Sequence, residues 1–365
     1  MLDCTVKATE ILIMKRDADI LSKIALANKN PFIAVPLIPY MSLFCNEVSI
    51  YGKNNGYPFE LTNDSMFSMN DIRQKTKFFN QRMSRTLKII RHIDILQNKQ
   101  YINTMRYPTL GNKNFHDNLG IYFDTDKNII GNTHYAYYVF QDLKLICSEK
   151  CLQIEPYIPP EELKQYAKFL GSFISKISSS FSVFGDFVGG ALSSDKLNVV
   201  TKDFNTNRMN FNQKDDHSKL INLFLLYILC GVNFSLFCLK IIILRDSGWL
   251  LRIEFITYYY AIMELNKIKA LPQTAQFPGL TKMLSEINLD EKILNQEFRN
   301  CMMHYGLTSN IGEPLIKESY CDWSLPMCGL VESLYNGLSY WDLQAKIEDR
   351  LLSISQLISR YLNID

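Results

Sequence analysis

No glycine-rich phosphate loop of the Walker type occurs in this 365-residue sequence, so the backbone cradle on which ATP or GTP hydrolysis is built is missing. An excess of either charge is missing too: 39 Lys plus Arg stand against 37 Asp plus Glu. A net charge of +2 excludes a generally polycationic binder and moves attention to local patches. Nine cysteines are an odd number, scattered from Cys4 to Cys328 without the spacing of a secreted disulfide domain. Cys147 and Cys151 have no second pair at a suitable distance and only His134 as a poor third ligand, so no metal is expected. The opening residues reach Lys15-Arg16-Asp17 before any long apolar run, which is not a secretory pattern. These absences together predict reduced thiols and a cytoplasmic chain.

One stretch free of charge does occur, from Leu220 to Leu239. Its length could cross a bilayer, but Asn222, Gly231, Asn233 and Ser235 interrupt it, and a helix buried on all sides of a bundle has the same pattern. The core reading is the expectation and no membrane partner is predicted. An apolar fraction of 47% with 21% charged residues is ordinary for a folded chain. The length suggests two domains or one with a large appendage, and no internal repeat or low-complexity tract is present.

The pattern changes at Pro159-Pro160, which sets the expected boundary: an N-terminal region of unknown type over 1–155 and a helical domain over 156–365. In the first half, Thr9 to Asn28 reads as a helix that the proline-punctuated run Pro31 to Pro39 cannot continue. Asn70 to Asn98 is a second helix, and Ile121 to Tyr157 reads as a hairpin or irregular. In the second half, Glu161-Glu162 start a helix running to about Phe187. Gly189 to Lys214 reads as a loop. Four helices follow, over Ser218 to Leu244, Trp249 to Leu271, Leu289 to Leu307 and Leu325 to Leu362. The expected fold is therefore mainly α, a five-helix bundle behind a mixed or partly helical N-terminal region. Ile347, Leu351, Ile354, Ile358 and Tyr361 form an apolar stripe on the last helix, read as core in preference to a subunit interface.

Chemistry concentrates in Glu297-Phe298-Arg299-Asn300-Cys301-Met302-Met303-His304-Tyr305-Gly306. A histidine exchanges protons near neutral pH, and an arginine stays charged and grips phosphate bidentately. RNA cleavage without a metal needs such groups to activate the 2′-hydroxyl, neutralise the phosphate and protonate the leaving oxygen. Asn300 and His304 are four apart, one helix face, so the amide could orient the ring. Arg299 lies about 140 degrees around that helix from His304, which one helix presents poorly. The bland alternative pairs Arg299 with Glu297 or Glu254 and makes His304 a satisfied helix-end residue. Cys301 reads as a small buried thiol.

Arg299-Asn300 with His304 resembles the R-N-x-x-x-H form of the HEPN superfamily of helical-bundle proteins, and Leu251 to Tyr260 is similar to a preceding HEPN helix. The resemblance spans about residues 160 to 365. It implies a metal-independent endoribonuclease of toxin-like or antiviral-defence type, with Arg299, Asn300 and His304 catalytic, no cofactor, and a homodimer in which two motifs face one cleft. An antitoxin or regulatory partner is a further implication. The alternative it leaves open is a noncatalytic RNA-binding or dimerisation module. Toxins of the family that are paired with a nucleotidyltransferase carry Tyr two positions after the His, where this chain has Gly306.

A second feature points to RNA. Arg73, Lys75, Lys77, Arg82, Arg85, Lys88 and Arg91 follow one another with no acid between, while Ile72, Phe79, Met83, Leu87 and Ile90 gather on the other side of the wheel. Phe78 falls on the basic face, where it could stack on an unpaired base. This stretch is the predicted RNA-binding face. Its alternative is a solvated helix answering acids elsewhere, such as Asp124, Asp126 or Glu161-Glu162.

Overall fold

The computed structural model describes residues 2–27, 30–57, 82–106, 117–135, 161–181, 197–207, 215–287 and 292–364. The protein is mainly α-helical, as the sequence predicts. Helices α1 (Leu2–Ala27) and α2 (Pro31–Asn55) open the chain. The proline run therefore ends one helix and begins another: Pro31 occupies the first turn of α2, where its missing N–H costs nothing, behind Asn30, whose side chain accepts from Phe32 N. Pro36 and Pro39 are carried inside α2.

Helix α3 (Met83–Arg106), with Arg82 just before it, carries the described part of the basic stretch. Strands β1 (Leu119–Phe123) and β2 (Ile129–Asn132) form a hairpin, one of the two readings of Ile121 to Tyr157, whose residues 136–157 lie outside the described residues, with Tyr122 opposite Gly131. After α4 (Glu161–Ser180), strand β3 (Val200–Phe204) lies within what the sequence reads as a loop and pairs antiparallel with β1. No apolar alternation announced it, because β3 is a mostly exposed edge strand.

The charge-free run forms α5 (Asp216–Asn233), a π-turn at Phe234–Cys238 and the short α6 (Leu239–Ile242). Asp215 and Ser218 cap it reciprocally. Phe32–Asn55 and Asp216–Ile242 are long and apolar enough to cross a membrane, and 78% and 89% of their apolar windows are buried inside the protein. The polar interruptions have partners there: Asn233 donates to the Ile129 carbonyl at 2.8 Å and accepts from Ser355 Oγ at 2.6 Å. That pairing ties α5 to β2 and to the last helix, which is how a polar residue is retained in an apolar interior.

Helix α7 (Gly248–Lys269) follows, then α8 (Pro278–Glu286), which falls between two of the helices expected from sequence, and α9 (Gln296–Met303). The expected helix over Leu325 to Leu362 is two, α10 (Leu330–Leu334) and α11 (Tyr340–Leu362). Asn336 and Gly337 both have positive φ, 54° and 87°, and two successive left-handed residues end a helix. The α11 stripe is buried, with Ile347, Leu351 and Ile358 fully inaccessible, where α11 packs on α5, α7 and α8. It is core, so it does not supply a dimer interface. Helix α1 packs on α4 and α7, and α2 on α4.

Candidate active site at the end of helix α9

Helix α9 is short because both of its ends are fixed. Asn295 caps the start by accepting from Phe298 N at 2.9 Å. Phe298 is fully buried, edge-on to Phe255 of α7 and Tyr335, with ring centroids 4.9 and 5.2 Å away. At the other end the chain leaves the helix at His304, whose backbone is extended (φ −129°, ψ 165°) while its N–H still closes onto the Asn300 carbonyl at 2.7 Å. The expected shared helix face of Asn300 and His304 therefore does not form: the ring projects from beyond the last turn.

That exit is anchored by buried groups of α1, α2 and α7. Arg252 Nη1 donates to the carbonyls of Cys301 and Met302 at 2.7 and 2.8 Å, neutralising the negative end of α9. Tyr305 OH donates to Asp17 of α1 at 2.7 Å, and the Arg252 guanidinium lies 4.5 Å above the Tyr305 ring. Leu307 N donates to Glu10 of α1 at 2.7 Å, and Glu10 also accepts from Tyr51 of α2. His304 itself meets α2: its Nδ1 lies 2.6 Å from Glu47 Oε2. The His304 side chain is 58% exposed against 10% for Glu47, and Nε2 takes no partner among the described residues. A cleft beside this pair is lined by Tyr40, Glu47, Trp249, Arg252, Met302 and Tyr305 among others.

Arg299 is placed differently. Its guanidinium lies 5.5 Å from the Tyr259 ring of α7, and its Nε is buried without a hydrogen-bond partner among the described residues. Neither acid named as a partner from sequence holds it: Glu254 takes Gln344 at 3.1 Å, and no ion pair joins Arg299 to Glu297. Burial pushes the Tyr260 phenol up to about 12 against a downward pull from Arg299. Arg299 thus keeps an uncommitted cation, backed by a tyrosine face. The two anchors on α7, Arg252 at the His304 end and Tyr259 at Arg299, are seven residues apart, about 10 Å of helix rise.

Of the other sequence candidates, Cys301 is buried with its thiol pushed up to about 12 by burial, as an unreactive thiol should be. His134 is fully buried and bonded through Nε2 to the Asn118 carbonyl, and burial holds it down to about 4. Cys147 and Cys151 lie outside the described residues, as do Arg73, Lys75, Lys77 and Phe78. Arg82, Arg85, Lys88 and Arg91 are exposed on or just before α3, over buried Met83, Leu87 and Ile90. Arg91 pairs with Asp216 at 2.9 Å, not with the acids named from sequence.

Sequence reasoning missed Glu10, Asp17, Glu47 and Arg252. The usable signal was four charges set in apolar helices, since a charge on a buried face must find a partner. Scans and searches against family models, curated proteins and solved structures give no match to this chain.

Proposed function

We propose that the protein is a metal-independent endoribonuclease of the HEPN type, working in the cytoplasm as a homodimer and serving as a toxin-like or antiviral-defence effector. The observation that carries this reading is one exposed imidazole with a buried carboxylate behind it, just beyond a short helix whose Arg299 has no ion-pair partner among the described residues. His304 is the proton-transfer group, taking the 2′-hydroxyl proton or returning one to the leaving 5′-oxygen. Arg299 holds the scissile phosphate and offsets the charge that builds on its oxygens. Asn300, between them, is a polar neighbour for a phosphate oxygen. No cofactor enters this scheme. An antitoxin or other regulatory partner fits a chain with this activity.

Purified protein incubated with total RNA in chelator tests the proposal. The wild type should cut RNA to products ending in a cyclic phosphate. Arg299→Ala and His304→Ala should each abolish cutting with the helical signal and thermal midpoint nearly intact. If the wild type cuts nothing, or both variants still cut, the noncatalytic RNA-binding or dimerisation module takes its place.

A further inference from the structure

We infer that Glu47 is the positioning residue of this site: its carboxylate fixes the His304 ring in the tautomer with the proton on Nδ1, leaving the Nε2 lone pair as the atom presented to the substrate. The assignment of that substrate as RNA rests on the ribonuclease reading above; the Glu47–His304 relationship does not.

The chemistry of the pair gives the tautomer. An ionised carboxylate only accepts, so the proton shared across 2.6 Å belongs to Nδ1. A separation this short is that of a charge-assisted bond. Glu47 has little freedom to release it, because its other oxygen accepts from Asn46 Nδ2 at 2.7 Å. Helix α2 is pinned on both sides of Glu47. Tyr40 meets Thr257 of α7 at 2.7 Å and Ser42 meets Tyr166 of α4 at 2.8 Å, one or two turns before it. Tyr51, one turn after it, reaches Glu10, which holds Leu307 N. Positions 47 and 51 share a face of α2, so that face meets the chain at both His304 and, through Glu10, Leu307.

A purely structural clamp accounts for the contact less well. The last turn of α9 and the segment after it already have three buried tethers: Arg252 on the Cys301 and Met302 carbonyls, Asp17 on Tyr305 and Glu10 on Leu307. A fourth, to a ring that is more than half exposed, adds little to holding the backbone. What it alone determines is which ring nitrogen carries the proton and which way the ring faces, a role that a carboxylate behind a catalytic histidine serves.

The test uses the full chain with selectively 15N-labelled histidine, whose five residues are assigned by a His304→Gln control. At mildly alkaline pH the wild type should show His304 protonated on Nδ1 and bare on Nε2. Glu47→Ala should move the ring to the Nε2-protonated form and lower kcat at least roughly tenfold with KM little changed. Glu47→Gln keeps an acceptor oxygen, so it should keep the Nδ1–H form and recover part of the loss. An Nε2–H ring in the wild type, an Nδ1–H ring persisting in Glu47→Ala, or a kcat unmoved by the tautomer switch would overturn the assignment. If the wild type cuts no RNA, the ribonuclease reading fails, and the nitrogen spectra still decide whether Glu47 sets the ring.

Discussion

Arg252 of α7 and Asp17 of α1 form an ion pair, Nε to Oδ2 at 3.0 Å, with side chains only 5% and 2% exposed. Tyr305 donates to the same Asp17 oxygen, and Arg252 spends its Nη1 on the end of α9. The position of His304 thus depends on a charge pair drawn from the first and seventh helices.

Removing one partner strands the other in a dry interior. Asp17→Ala should cost about 3–5 kcal/mol in urea denaturation, and Arg252→Ala a similar amount. Replacing both, as Asp17→Leu with Arg252→Met, should cost less than the two single losses added, since no charge is left unpaired. Single variants that lose less than about 1 kcal/mol would mean that the pair is solvated and exchangeable.

A second buried acid predicts a pH dependence. Burial and the nearby Glu348 push the Glu254 carboxyl from 4.5 up to about 8, against the pull of Gln344, Lys240 and Arg245. Below 4.5 both folded and unfolded chains hold this proton, so it costs nothing. Between 4.5 and 8 only the folded chain holds it, and stability falls with rising pH by about 1.4 kcal/mol per unit from this group. Glu254→Gln mimics the neutral acid and keeps a partner for Gln344. Its thermal midpoint should match the wild type near the acid end of that window and exceed it near the alkaline end. Parallel midpoint curves would show that Glu254 is ionised in the fold.

Much of this fold was legible in the sequence. The Pro159-Pro160 pair and the apolar period of α11 are local signals, and each stands at the element it predicts. The left-handed break at Asn336-Gly337 was legible in principle, since Asn and Gly are the residues that take positive φ, but the apolar period on either side masked it. Arg299, Asn300 and His304 were likewise visible as a local spacing. Glu47 was not, because 257 residues separate it from His304 and nothing in a linear pattern encodes which buried charges meet.

Helix α3 gives a prediction about affinity that is separate from chemistry. Arg85 and Lys88 take no acid among the described residues, whereas Arg91 is paired with Asp216. We propose that this face, with Arg82, holds RNA backbone through ion release. Replacing Arg82, Arg85 and Lys88 with Gln should lower the slope of log affinity against log salt by about 2 for single-stranded RNA. Cleavage at saturating RNA should change little, because the proposed function places the chemistry at Arg299 on α9 and His304 just beyond it. An unchanged slope in filter binding across a salt series would return α3 to a solvated surface.

The last prediction concerns the dimer of the proposed function, which the buried α11 stripe does not support. Arg299 is held at Tyr259 and the His304 exit at Arg252, positions about 10 Å apart along α7, so the two side chains are anchored separately. Across a twofold axis, Arg299 of one protomer can face His304 of its partner. Light scattering should give about twice 42.4 kDa. The sharper test mixes two inactive proteins, Arg299→Ala and His304→Ala, after joint refolding or coexpression. Half of the dimers are then mixed, and each mixed dimer retains one of its two Arg–His combinations. Activity should return to about a quarter of the wild-type value per chain. If the variants exchange subunits and the mixture stays inactive, the two groups act within one chain and the site is not shared.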